Sequence, residues 1–124
     1  KYYYFKQNNS LSHSPFTPSQ LDFVEACIDR YEYLTNKYLD EELEAYCRRW
    51  IFIAMIESIN LALRNHVVDI YHEDIQKTIE QVKKYNIYDC ALTPAQEKII
   101  KLIFNDFVKY VLVKKMMLTK QESD

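Results

Sequence analysis

Glycine is absent from all 124 residues, where an average chain of this length would carry roughly nine. That absence narrows the choice of folds. Turns with positive φ at their central residues favour Gly, Asn or Asp, and a many-stranded protein needs several of them. Helices joined by short Asn- or Pro-containing links need none. Phosphate-cradling loops of the Walker or dinucleotide type depend on glycine for close backbone approach, so nucleotide binding by those two routes is excluded. Cysteine is scarce and odd in number: Cys27, Cys47 and Cys90 show no CxxC spacing. They fit three small core residues in a reducing, cytoplasmic compartment better than a secreted disulfide framework. Positive charge is not in excess either. A formal net charge of −2 and a pI of about 5.9 supply no field to draw a nucleic acid backbone. A signal-peptide pattern is also lacking.

What is present suits a folded body. Hydrophobic residues make up 48% and charged residues 27% of the chain, a globular balance at a length that buries a core without disulfide or metal staples. Lys1 to Phe5, with three consecutive tyrosines, have strong β propensity, and the polar run Gln7 to Ser14 breaks it. One short strand and a loop are expected. A strand this short needs partners from elsewhere, so the chain is expected to be a segment of something longer.

Helices dominate the rest. Thr17, Pro18, Ser19 and Gln20 predict an N-cap, a proline at the first helical position and a capping box. Leu21, Val24, Ile28, Tyr31, Leu34 and Tyr38 then recur at spacings of three and four. Asp40 is placed to cap a second helix reaching about Asn65, with Glu41 and Glu42 in its first turn. Its surface is apolar nearly all round, as expected of a central element. A third, shorter helix is predicted from Glu73 to Tyr85, with Asn86 as its stop. Thr93, Pro94, Ala95 and Gln96 repeat the start signal for a fourth helix that reaches Leu118. At about 26 residues and roughly 39 Å, that helix is expected to pair antiparallel with the second. The expectation is an all-α fold: about four helices in an antiparallel bundle over 17–118, a strand-and-loop segment over 1–16 before it, and a frayed tail over 119–124.

Chemistry-bearing residues are few. His66, Asp69 and Glu73 fall at i, i+3 and i+7 and would align three metal ligands on one unbroken helix. A zinc site wants more His or Cys, and this stretch is the expected junction between two helices, where capping and solvated side chains explain the same residues. Adjacent carboxylates such as Glu41 with Glu42, or Glu73 with Asp74, point in different directions on a helix and suit its positive end. No serine sits in a nucleophile elbow. Lys98, Lys101, Lys109, Lys114 and Lys115 interleave with bulky apolar residues along the fourth helix, a composition shared by core-facing helices with wet lysine tips and by helices that lie on anionic membranes.

The order Tyr2-Tyr3-Tyr4-Phe5-Lys6-Gln7-Asn8-Asn9-Ser10-Leu11-Ser12-His13-Ser14 is explained by neither periodicity nor capping. It resembles the segment that closes the catalytic domain of bacterial family 2 glycosyltransferases, where a tyrosine-rich strand with a basic residue runs into a Ser-aliphatic turn, often followed by His, and a helical extension comes next. The motif covers about 13 of 124 residues. Phe5 stands where the family commonly has arginine, and Asn9 where it has glycine, a place Asn can fill because it tolerates the left-handed conformation. The resemblance implies a parent enzyme of surface polysaccharide synthesis that transfers a sugar from a nucleotide-sugar donor, with a divalent metal and a base carboxylate held by upstream residues. Ser10 and His13 match the loop near the donor diphosphate and acceptor cleft and are the substrate-binding candidates. This chain is then a non-catalytic accessory region, cofactor-free by itself, beside the catalytic domain of the same polypeptide. Its place is the cytoplasm or the inner face of the membrane, with peripheral contact through the fourth helix. The alternative is a helical module for self-association or protein docking.

Overall fold

Asp40 opens the longest helix by accepting, at Oδ1, from the backbone N–H of Glu42 (2.9 Å) and of Leu43 (3.2 Å). Two of the four unpaired donors of a helix start are satisfied this way. The computed structural model describes residues 16–123, with side chains as far as Met117. The strand-like segment at 1–5 and the loop after it lie outside the described residues. A 3-10 turn, Pro18–Leu21, leads into α1 (Asp22–Lys37); α2 (Glu41–Arg64), α3 (His72–Val82), α4 (Pro94–Asn105) and α5 (Phe107–Ser123) follow. Among the described residues the fold is all-α, with five helices and no strand.

The two T-P-x-Q starts behave differently. At Thr93 the capping box forms in full: Gln96 N–H donates to Thr93 Oγ1 (3.1 Å) and Thr93 N–H donates to Gln96 Oε1 (2.9 Å). At Thr17 it does not. The backbone there tightens into the 3-10 turn, Gln20 N–H donating to Thr17 O at 2.9 Å, and the Thr17 hydroxyl bonds the Ser19 hydroxyl at 2.6 Å instead.

α2 is the centre of the body. It buries Ile51, Phe52, Met55, Ile59 and Leu63 among others and touches α1, α3, α4 and α5. Side chains of this size stabilise by about 1.5–3 kcal/mol each when fully buried. α1 lies antiparallel to α2, since Tyr31 meets Glu44 while Gln20 meets Ser58. The α4–α5 stretch runs parallel to α2: Arg49 meets Ala91, Phe52 meets Phe104 and Asn60 meets Tyr110. The expected antiparallel pairing of the second and fourth helices is therefore corrected. The loop after α3 meets Arg48 and Arg49 near the start of α2, so α4 sets out from that end and runs alongside α2 in the same direction.

The predicted fourth helix is two helices. Asp106 (φ −156°, ψ 82°) breaks it by serving both ends: its N–H donates to Leu102 O (2.8 Å), closing α4, and its Oδ1 accepts from Lys109 N–H (3.1 Å), opening α5. The third helix is shorter than predicted, stopping at Val82, and Asn86 instead folds an Asx turn by accepting from Tyr88 N–H at 2.9 Å.

Candidate functional site

Ser10 and His13 lie outside the described residues, and the structure places neither. His66, Asp69 and Glu73 are described and do not converge. α2 ends at Arg64, and His66 sits in the left-handed region (φ 59°). There Val67 N–H donates to Ala62 O and His66 N–H donates to Leu63 O, both at 3.1 Å. These two bonds form a Schellman ending, with His66 in the position usually given to glycine. Asp69 faces Lys115 at 3.9 Å on the surface, and Glu73 lies in the first turn of α3. Among the described residues no three His, Cys, Asp or Glu side chains gather as metal ligands. Cys27, Cys47 and Cys90 are buried free thiols, and burial pushes all three above their ordinary range, which makes them poor nucleophiles.

The most developed polar site centres on Arg48, whose side chain is 9% exposed. Its guanidinium grips Glu44 through two bonds, Nε to Oε2 at 2.8 Å and Nη2 to Oε1 at 3.0 Å. It also donates to the carbonyls of Asn86 and Tyr88 (2.5 and 2.6 Å) in the loop between α3 and α4. Tyr31 Oη donates to Glu44 Oε2 at 2.7 Å, and the Tyr85 ring stands edge-on to Tyr31. Burial by itself would lower Arg48 and raise Glu44, but the bonds between them outweigh it: the guanidinium is held more firmly charged, and the Glu44 carboxyl lies below its ordinary range. Burial, and then the bond to Glu44, push the Tyr31 phenol up to about 12. The fork of donors is spent on Glu44 and on the protein's own backbone and leaves no open position for a substrate. The site is a latch that folds the loop onto α2, carrying Ile87, Cys90 and Leu92 into the core.

No protein-family model, curated protein or solved structure matches this chain. Function therefore has to be argued from its own residues.

Two open surface features stand out among the described residues. A groove of about 360 Å³ is lined by Gln20, Phe23, Glu57, Ser58, Asn60, Leu61 and Arg64, with Asn60 held by the Tyr110 hydroxyl at 2.8 Å. The second is α5. It buries Phe107, Tyr110 and Val111 but exposes Val108, Leu112, Val113, Met116 and Met117. The lysine-rich composition signalled that helix in the sequence; which side stays bare follows only from packing. No helix among the described residues is long and apolar enough to cross a membrane.

Proposed function

We propose that this chain is the helical accessory region of a glycosyltransferase of surface polysaccharide synthesis, placing or sheltering the acceptor beside the catalytic domain of the same polypeptide. The carrying observation is the order Tyr2 to Ser14, which runs directly into a helical body. Phe16, two residues beyond that order, is buried and packs its ring tilted against Tyr71, with centroids 5.4 Å apart. Chemistry belongs to the parent, whose upstream residues hold the nucleotide-sugar and its divalent metal. The test is sugar transfer by the intact gene product. Nucleotide-sugar binding, and impaired transfer on Ser10→Ala or His13→Ala, are expected; unaltered turnover in both variants removes the site assignment, and absence of donor binding removes the reading.

A second reading, a helical module for self-association or protein docking, is favoured by the bare apolar side of α5. It requires a concentration-dependent oligomer or a partner in sedimentation velocity. A strictly monomeric, partnerless chain rejects it.

A further inference from the structure

α5 outruns the body it packs on. Phe107, Tyr110 and Val111 enter the core, and none of residues 112–117 is buried. Helical spacing puts Val108, Leu112 and Met116 on one outward stripe, 58%, 57% and 72% exposed, with Val113 and Met117 along its border. From Phe107 to Met117 the helix carries Lys109, Lys114 and Lys115 and no carboxylate. Lys109 falls in angle between Met116 and Val113, inside the apolar side.

That placement discriminates between occupants. A protein core laid over this side would bury the Lys109 ammonium, which is costly without a carboxylate to meet it. A second copy laid antiparallel along the stripe would bury the Lys109 ammonium of both chains, with no carboxylate between Phe107 and Met117 of either to meet it. The interface of an anionic bilayer satisfies both chemistries, since acyl chains take the apolar side chains while lysine stems let ammonium groups rise to the phosphates. Lys115 is free to do so, because its contact with Asp69 is long and exposed. The acidic first turn of α2, Glu41, Glu42 and Glu44, lies at the opposite end of that helix from Asn60, where Tyr110 anchors α5. Nearer the stripe, Asp69 lies 3.9 Å from Lys115 and Asp106 caps the start of α5.

We infer that α5 docks this protein on the surface of an anionic lipid bilayer, with Val108, Leu112 and Met116 entering the acyl boundary and Lys109 and Lys115 meeting lipid phosphate, while Lys114 turns inward over the Tyr110 ring. The inference does not depend on the glycosyltransferase reading, and its failure leaves the Ser10 and His13 test untouched. The experiment is co-sedimentation of the full chain with phosphatidylglycerol–phosphatidylcholine vesicles and with phosphatidylcholine alone. Binding to the anionic vesicles is expected, with a loss of about twenty-five-fold on pure phosphatidylcholine or in the Lys109→Gln/Lys115→Gln variant, at roughly fivefold per lysine. Leu112→Glu with Met116→Glu is expected to reduce binding at least about tenfold. Both positions are more than half exposed, so the fold, monitored by circular dichroism, stays unchanged. The inference is overturned by no binding to anionic vesicles, by unchanged binding of either variant, or by a wild-type dimer that the Glu variant converts to monomer.

Discussion

Replacing Arg48 with methionine removes the main charged group that ties the loop between α3 and α4 to α2, leaving only the longer Arg49–Ala91 bond of 3.3 Å, while keeping most of its buried stem volume. Two losses follow. Glu44 keeps its negative charge without its partner; breaking a buried pair costs about 3–5 kcal/mol, and because the Glu44 side chain is 31% exposed and can rehydrate, the lower end applies. The carbonyls of Asn86 and Tyr88 lose a charged donor, worth about 1.5–3 kcal/mol each, but the loop can open to water and recover part of that. A net destabilisation of about 3–4 kcal/mol is expected, a large share of the roughly 5–15 kcal/mol that holds a domain folded. Urea unfolding followed by circular dichroism measures it, and amide exchange is expected to accelerate across 86–92 before it does elsewhere. The paired variant Arg48→Met/Glu44→Met is expected to lose less than the sum of the single changes, because it leaves no orphaned charge. A loss below about 1 kcal/mol for Arg48→Met, or strict additivity of the pair, would refute the latch.

Further expectations concern backbone and pH. Ala91, held at φ 61°, pays for a conformation that glycine adopts freely, so Ala91→Gly is expected to be neutral or to stabilise by up to about 1 kcal/mol, while Ala91→Val costs about 1–2 kcal/mol; thermal unfolding distinguishes them. Tyr31 and Tyr110 are both pushed up to about 12, by burial first, and at Tyr31 by Glu44 as well. The fold thus prefers the neutral phenols, and their stabilising contribution is complete below pH 10 and lost as pH rises through 10 towards about 12. Urea midpoints measured across that window are expected to fall less steeply in Tyr110→Phe; an unchanged slope would remove Tyr110 from the account. Glu44 works in the other direction: its contribution is present above the ordinary 4.5 and disappears as pH falls through its lower folded value, so Glu44→Gln is expected to flatten the acid limb of the same profile.

Local chemistry was the legible part of the fold. Asp40 and Thr93 announce their helices because a cap and its donors lie within three residues of each other. The apolar stripes were equally plain, since a helix repeats them every three or four positions. The break at Asp106 was hidden because Ile103, Phe107, Tyr110 and Val111 keep helical spacing straight through it, and only the double use of one aspartate reveals it. Thr17 shows the opposite case: its signal matches that of Thr93, yet the 3-10 turn leaves the expected donor out of reach of its hydroxyl. Arg48 was invisible for a different reason. Its carbonyl partners lie 38 and 40 residues away and belong to the backbone, which carries no residue-type signature. The positions of positive φ were unsignalled too, since His66, Asp89 and Ala91 stand where glycine would have marked them. Of the substrate-binding candidates, Ser10 and His13 remain a matter of sequence alone.

The latch has an evolutionary corollary. Arg48 recognises the 86–89 segment through main-chain oxygens, which every amino acid supplies in the same place. Tyr88 and Asp89 are exposed, so the anchoring arginine places little demand on what their side chains are. Relatives that preserve Arg48, Glu44 and the buried Ile87, Cys90 and Leu92 are free to diversify Tyr88, while position 89, held at φ 62°, stays among Asp, Asn and Gly; Tyr88 is then the natural place to graft a label without disturbing the helices behind it.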